Sequence, residues 1–344
     1  MTSDAIRRWL DGDDAAEETV RQLAESSAWA ATACDSATTR KLIALAHDAL
    51  SRDPNRAVWI SRLAIRVARE GEALIDEGDA WREYAAALLE VGDYEDAQIA
   101  VVRARLVYQL TEGAEHNRAV LWAVEGRILH ELGDSIQALQ RIDASARTLL
   151  RLNDKKTYVR VRSIYAVVLF NLCRYREAAD MYAEMVNDCD GETLAHAVLM
   201  IGRCAVRLGE IERAQQCFET ALQMFDELGL RPEIPRVRKG IAEILVAGGR
   251  VHEAISELYK ARAEFVTMEL PVLAALVALD IIDLLLTVGR TSEIELLCDT
   301  SVSPLPRSAS DAFARLRDLA GRTCVGEDDV QHVRGFLERL PMEA

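Results

Sequence analysis

Leu88–Gln98 reads LLEVGDYEDAQ, and the same phrase returns five times: LHELGDSIQAL from Leu129, LFNLCRYREAA from Leu169, AVRLGEIERAQ from Ala205, LVAGGRVHEAI from Leu245 and LLTVGRTSEIE from Leu285. Each copy reads as a helix end, a turn and a helix start. The turn residues are Gly92, Gly133, Cys173, Gly209, Gly249 and Gly289, spaced 41, 40, 36, 40 and 40 residues apart. Glycine suits the place because it accepts the left-handed backbone that ends a helix. Five residues past the turn, Ala97, Ala138, Ala178, Ala214 or Ala254 lets two helices approach closely. Upstream, a second small residue (Ala85, Gly126, Ala166, Gly202 or Ala242) supplies the matching contact. Three residues later Leu88, Leu129, Leu169 or Leu245 fills the core, with Ala205 the exception. Self-similarity at a fixed period marks stacked helical repeats.

The rest of the composition suits such an array. Of 344 residues 50% are apolar and seven are Pro; abundant Ala and Leu favour long helices. Lys plus Arg total 41 against 56 Asp plus Glu, a formal charge of −15, which disfavours nucleic-acid binding over the whole surface. The seven cysteines (Cys34, Cys173, Cys189, Cys204, Cys217, Cys298 and Cys324) contain no C-x-x-C pair, so neither a disulfide framework nor a zinc knuckle is indicated. MTSDAIRRWLDGDDAAEE at the start lacks the apolar core of a secretory signal, and the expectation is a reduced, cytoplasmic protein. Leu270–Leu286 is apolar enough to raise a membrane span, but Asp280 and Asp283 near its middle argue for a buried repeat helix.

The copies resemble the tetratricopeptide repeat (TPR) family, whose units carry a large residue, Leu-Gly and Tyr on the first helix, Gly-x-Tyr at the turn, and Ala, an aromatic and Ala on the second. One unit has Trp81, Tyr84, Ala85, Leu88, Gly92, Tyr94, Ala97 and Ala104; the next has Trp122, Gly126, Leu129, Gly133, Ala138 and Ile142. The third carries Tyr165, Ala166, Leu169, Tyr175, Ala178 and Tyr182, the fourth Ile201, Gly202, Gly209, Ala214, Phe218 and Ala221, the fifth Ile241, Ala242, Leu245, Gly249, Ala254, Leu258 and Ala261. The sixth, on Ile281, Leu285 and Gly289, is degenerate. The period departs from the family's ~34 residues, as in the longer variants of bacterial regulators and sensors. The resemblance implies an all-α, right-handed superhelical solenoid of antiparallel helix pairs that binds a protein or peptide.

The expected organisation is acidic N-terminal helices over 1–36, a diverged first repeat over 37–77, six TPR-like repeats over 78–300, and a Pro/Ser break with capping helices over 301–344. Within it, helices are expected at Ala15–Cys34, Thr38–Ser51 and Asn55–Asp76, then at Ser310–Ala320 and Glu327–Leu340. Exposed apolar ends of repeat arrays need such caps.

Catalytic chemistry finds no foothold. The six histidines (His47, His116, His130, His196, His252 and His332) show no H-x-x-x-H or H-E-x-x-H spacing, so no metal or cofactor is expected. There is no nucleophile elbow, phosphate loop or dinucleotide fingerprint.

In the TPR family the first helix of each unit lines a concave groove. Carried onto this sequence, that register implies Val120, Ala123, Arg127, His130 and Glu131; Arg160, Ser163, Val167, Phe170 and Asn171; His196, Leu199, Arg203, Val206 and Arg207; and Arg236, Lys239, Glu243, Val246 and Ala247. The sixth unit gives Leu276, Leu279, Asp283, Leu286 and Thr287, an apolar end suited to seating the terminal helices. The four earlier units place six Arg or Lys against two Glu in an acidic chain. Arg127, His130, Arg160, Phe170, Asn171, His196, Arg203, Arg207, Arg236 and Lys239 are therefore the candidate partner-binding residues, and the expected ligand is an acidic segment of a protein or peptide. The expectation is a non-catalytic adaptor, or a signalling-peptide sensor that changes curvature and controls a separate effector.

Overall fold

The computed structural model describes residues 2–13, 15–25, 36–50, 53–268, 270–290, 293, 294 and 297. Among them the regular structure is entirely helical. Four helices open the chain: α1 (Thr2–Leu10), α2 (Ala15–Glu25), α3 (Ser36–Ala49) and α4 (Pro54–Glu70). Pairs follow in which one helix ends at a recurrent turn and the next begins: α5 (Leu74–Glu90) with α6 (Tyr94–Gln109), α7 (Glu115–Glu131) with α8 (Ser135–Arg151), and α9 (Lys155–Asn171) with α10 (Tyr175–Met185). Next come α11 (Gly191–Arg207) with α12 (Ile211–Glu227) and α13 (Ile234–Ala247) with α14 (Val251–Thr267); α15 (Pro271–Thr287) begins the last.

The period follows from helix length. α7, α8, α11, α12, α14 and α15 each run 17 residues, and two such helices with two three-residue turns make the 40-residue repeat. The 36-residue interval from Cys173 to Gly209 arises because α10 has 11 residues and ends in a 3-10 turn, Val186–Asp188. Each turn closes with the same two bonds. The Gly92 N–H donates to the Leu89 carbonyl (3.1 Å) and the Asp93 N–H to that of Leu88 (2.9 Å), and the pattern repeats at Gly133, Cys173, Gly209, Gly249 and Gly289. These are Schellman closures, whose C′ residue is left-handed. Cys173 takes φ 58° there despite its side chain, and Glu72 (φ 52°) and Asn153 (φ 58°) do likewise.

Small and large residues are matched across each pair. Ala97, Ala138, Ala178, Ala214 and Ala254 are fully buried. Where the upstream small residue is Gly, its partner is bulky: a Cβ on Gly126 would lie 2.5 Å from Ile142 Cγ1, and one on Gly202 2.6 Å from Phe218 Cε1. Gly240 presses the same ring from the following helix, where a Cβ would stand 2.5 Å from Cζ. Phe218 is thus held between two glycines, as close-packed interiors require.

The chain divides into two compact units, Met1–Val161 and Arg162–Ala344, the division falling inside α9. In unit 1, Ile6, Trp9 and Val20 of α1 and α2 pack with Leu42 of α3 and Ile60 and Leu63 of α4, and Trp9 stacks on Trp59 at 5.2 Å. The acidic N-terminal segment is therefore core-forming. In unit 2, Phe218 and Phe225 centre one cluster, and Leu258, Phe265 and the apolar side of α15 form another, on which Ile294 and Leu297 also pack.

Two expected boundaries shift. The helix expected over Asn55–Asp76 breaks at Gly71–Glu72, where Glu72 occupies the left-handed place of the Schellman turn without the glycine that signals it. α5 consequently starts at Leu74, so the boundary expected at 77/78 lies within a helix. α2 ends at Glu25 among the described residues, and Thr38–Ser51 becomes α3, Ser36–Ala49. The expected extension of α2 to Cys34, the Pro/Ser break and the two capping helices of 301–344 lie outside the described residues, as do Cys34, Cys298, Cys324 and His332.

Candidate functional site

The expected groove residues sit on first helices, but most of their charge is already met. In unit 1, Arg127 Nη2 lies 2.7 Å from Glu90 Oε1, joining α7 to α5. His130 Nδ1 is 3.0 Å from Ser135 Oγ, and burial holds its imidazole below the usual value. Arg160 is exposed on α9. The first helices also meet through a shared carboxylate oxygen: Asp79 Oδ1 accepts from Tyr108 Oη (2.6 Å), Arg82 Nη1 (2.6 Å) and Asn117 Nδ2 (2.8 Å). Burial and Asp79 both push the Tyr108 phenol up.

In unit 2, Phe170 is 7% exposed, lying edge-on to Tyr175 at 5.2 Å with the Arg203 guanidinium 5.0 Å above it. One face of the ring, expected to be open, is covered by that side chain. Asn171 is exposed at the end of α9. His196 lies 3.7 Å from Glu192 and 3.6 Å from Glu233, and Arg236 lies 3.2 Å from Glu233. His196 and Arg236 thus share Glu233 and do not form a free basic surface.

Arg203, Arg207 and Lys239 do come together. They line a cleft of about 630 Å³ formed by α11, α13, α14 and α15. Lys239 Nζ is 2.9 Å from Asp280 Oδ2, and Arg203 Nη2 is 3.6 Å from Glu243 Oε1. Burial pushes the Asp280 carboxyl up, opposed by the nearby Lys239. Glu243 Oε2 is buried with no hydrogen-bond donor. Arg207 is exposed, and no carboxylate pairs with it among the described residues. The lining is mixed: Val206, Val246, Ala247, Leu279 and Leu284 stand beside the three cations and the carboxylates Glu243, Asp280 and Asp283. Asp283 is among the groove positions implied for the sixth unit, and it does line the cleft, whereas Asp280 is legible in the sequence only as an interruption of an apolar helix; its place follows from the packing of α15 on α13 and α14. A second cleft, in unit 1, lies between α4 and α5 around Arg62, Arg66, Arg69, Trp81 and Tyr84; Arg69 there covers Trp81 at 5.2 Å and meets Glu77 at 2.6 Å.

Among the described residues no group of three His, Cys, Asp or Glu is placed to hold a metal, and no helix is long and apolar enough to cross a membrane. Cys204 is buried, Cys189 and Cys217 are half-buried and Cys173 is exposed.

A repeat of antiparallel helix pairs joined by Schellman turns and packed through small-to-large contacts is the fold of tetratricopeptide-like helical-repeat proteins. Solved structures similar to it include the following three. A Rap protein complexed with competence and sporulation factor matches at 11% identity and TM-score 0.62, over 89% of this chain and 88% of that one. The apo form of RapI matches at 11% identity and TM-score 0.54, over 98% of each chain. Aspartyl phosphate phosphatase F from Bacillus subtilis matches at 11% identity and TM-score 0.52, over 99% of this chain and 92% of that one. At such identity the likeness concerns the fold alone. No family model matches the sequence, and comparison with curated proteins finds no match.

Proposed function

We propose that this chain is a non-catalytic protein- or peptide-binding regulator whose unit 2 cleft holds an apolar segment bearing an acidic group. The observation that carries this reading is Arg207, an exposed guanidinium at a cleft of mixed apolar and charged lining, with no carboxylate paired to it among the described residues. Within this cleft the basic lining of the sequence reading narrows to this residue, because Arg203 and Lys239 face Glu243 and Asp280. An arginine forks onto a carboxylate in a way that favours selectivity. A TPR-like protein solved with competence and sporulation factor bound lends support to a sensor that acts through a separate effector.

The test is fluorescence anisotropy with two pools of labelled synthetic peptides, equally apolar, one carrying Asp or Glu and the other none. The acidic pool should bind more tightly, and Arg207→Glu should weaken it by about tenfold or more, the scale of a lost charged contact. Equal binding of the two pools, or no effect of Arg207→Glu, would refute the reading.

A further inference from the structure

The second helix of the first full repeat, α6, is apolar on both sides. Ala97, Ala100, Val101, Ala104 and Tyr108 are buried in the core of unit 1. On the opposite side Ile99, Val102, Leu106 and Leu110, in the helix and at its C-cap, are 56%, 48%, 49% and 78% exposed. Their spacing of three, four and four places them in one stripe. A surface helix ordinarily turns a polar face outward, so this stripe calls for an explanation.

The repeat supplies its own control. With the turn residues aligned, the same four places hold Gln140, Asp143, Arg147 and Arg151 in α8, and Gln216, Glu219, Gln223 and Glu227 in α12. In α14 they hold Ser256, Tyr259, Ala263 and Thr267, and from α10 onward Asp180, Ala183, Asn187 and Gly191. The helix pair therefore forms without large aliphatic residues there. In α6 all four are large and aliphatic, and the fold does not require them.

We propose that this stripe is a homodimer interface, in which α6 of one copy packs antiparallel on α6 of a second copy across a two-fold axis. A second copy is the favoured occupant because the stripe complements itself when reversed. Ile99 meets Leu110 and Val102 meets Leu106, and both pairings are centred near Ala104, as an isologous contact requires. The charges along the stripe nearly balance, Glu95 and Asp96 against Arg103. Two copies of a chain with net charge −15 can meet there with little repulsion, which other parts of an acidic surface would oppose.

Sedimentation equilibrium of the full chain tests this, with thermal melts followed by circular dichroism. The wild type should show twice the chain mass at micromolar concentration. V102E/L106Q, which installs what α12 carries at the same places, should weaken self-association by about tenfold or more and leave the melt unchanged. V102E/L106K, which sets opposite charges across the two-fold, should regain the dimer. A wild type that stays at the mass of one chain up to about 100 μM, well above the Kd of standard interfaces, would overturn the proposal. So would a V102E/L106Q variant that remains dimeric, or a V102E/L106K variant that does not re-associate.

Discussion

The two units follow one repeat plan and expose opposite faces of it. In unit 1 the first helices meet through closed polar contacts, with Asp79 accepting three hydrogen bonds and Arg127 tied to Glu90, while the outer side of α6 is apolar. In unit 2 the outer side of α12 is Gln216, Glu219, Gln223 and Glu227, and the first helices leave a cleft at Arg207. Helix pairing depends on the small-to-large contacts, which both units keep. The remaining surface of each unit is therefore free to serve a different contact, and the two proposals place those contacts on opposite sides of the pair.

The largest effects should come where the plan is shared. Gly78 meets Tyr108 in unit 1, where a Cβ would stand 2.4 Å from Cε1, and Gly240 meets Phe218 in unit 2. Gly78→Val and Gly240→Val should each cost about 3 kcal/mol, the upper range for overpacking a filled core, read from urea denaturation. A cost below about 1 kcal/mol in one unit would show that its core yields more easily.

Helix starts offer a smaller contrast. In unit 1, Asp53, Asp134 and Asp154 each accept a hydrogen bond from the N–H three residues on; in unit 2, Arg174, Glu210 and Arg250 precede helices without a side-chain cap. Asp154→Ala should cost about 1 kcal/mol, and Arg250→Asp, which supplies a capping oxygen, should raise the denaturation midpoint. Bonds from Thr157, the largest cause, and His116 hold the Asp154 carboxyl down at about 2. Its contribution is present above the ordinary 3.8 and is lost as pH falls towards 2, so the two proteins' denaturation midpoints should converge in acid.

Cys173 keeps a side chain where five sister turns have Gly. Cys173→Gly relieves left-handed strain but frees the unfolded chain, so a net gain of about 0.5 kcal/mol is expected, seen as a small rise in Tm.

The smallest effects concern two histidines of unit 1. The bond to Glu83 raises His47 above 6.5; its stabilisation is complete below 6.5 and is lost as pH rises through the folded value. Burial lowers His130 below 6.5, so its contribution is present above 6.5 and lost as pH falls. NMR titration should place the two on opposite sides of 6.5, with Glu83→Gln moving His47 alone. Titration of both at 6.5 would contradict this arrangement.

Much of the fold was legible in sequence because its determinants are local: a turn glycine, an alanine five residues on, a small residue upstream. Glu72 hid a turn because it adopts left-handed backbone without glycine's signature. The site was less legible because charge is settled across helices. Arg127, Arg203 and Lys239 read as free cations along their own helices, yet their partners Glu90, Glu243 and Asp280 lie on neighbouring ones. The outer stripe of α6 stood in the sequence too, but apolar residues on both sides of a helix gain meaning only once the buried side is known.

Hydrogen exchange of the chain, free and saturated with an acidic peptide from the binding pool, tests the central claim most directly. The account predicts slowed exchange in α11, α13 and α15, with α5 and α7 unchanged and the protection lost in Arg207→Glu. Protection centred on α5 and α7, or protection that persists in Arg207→Glu, would contradict it.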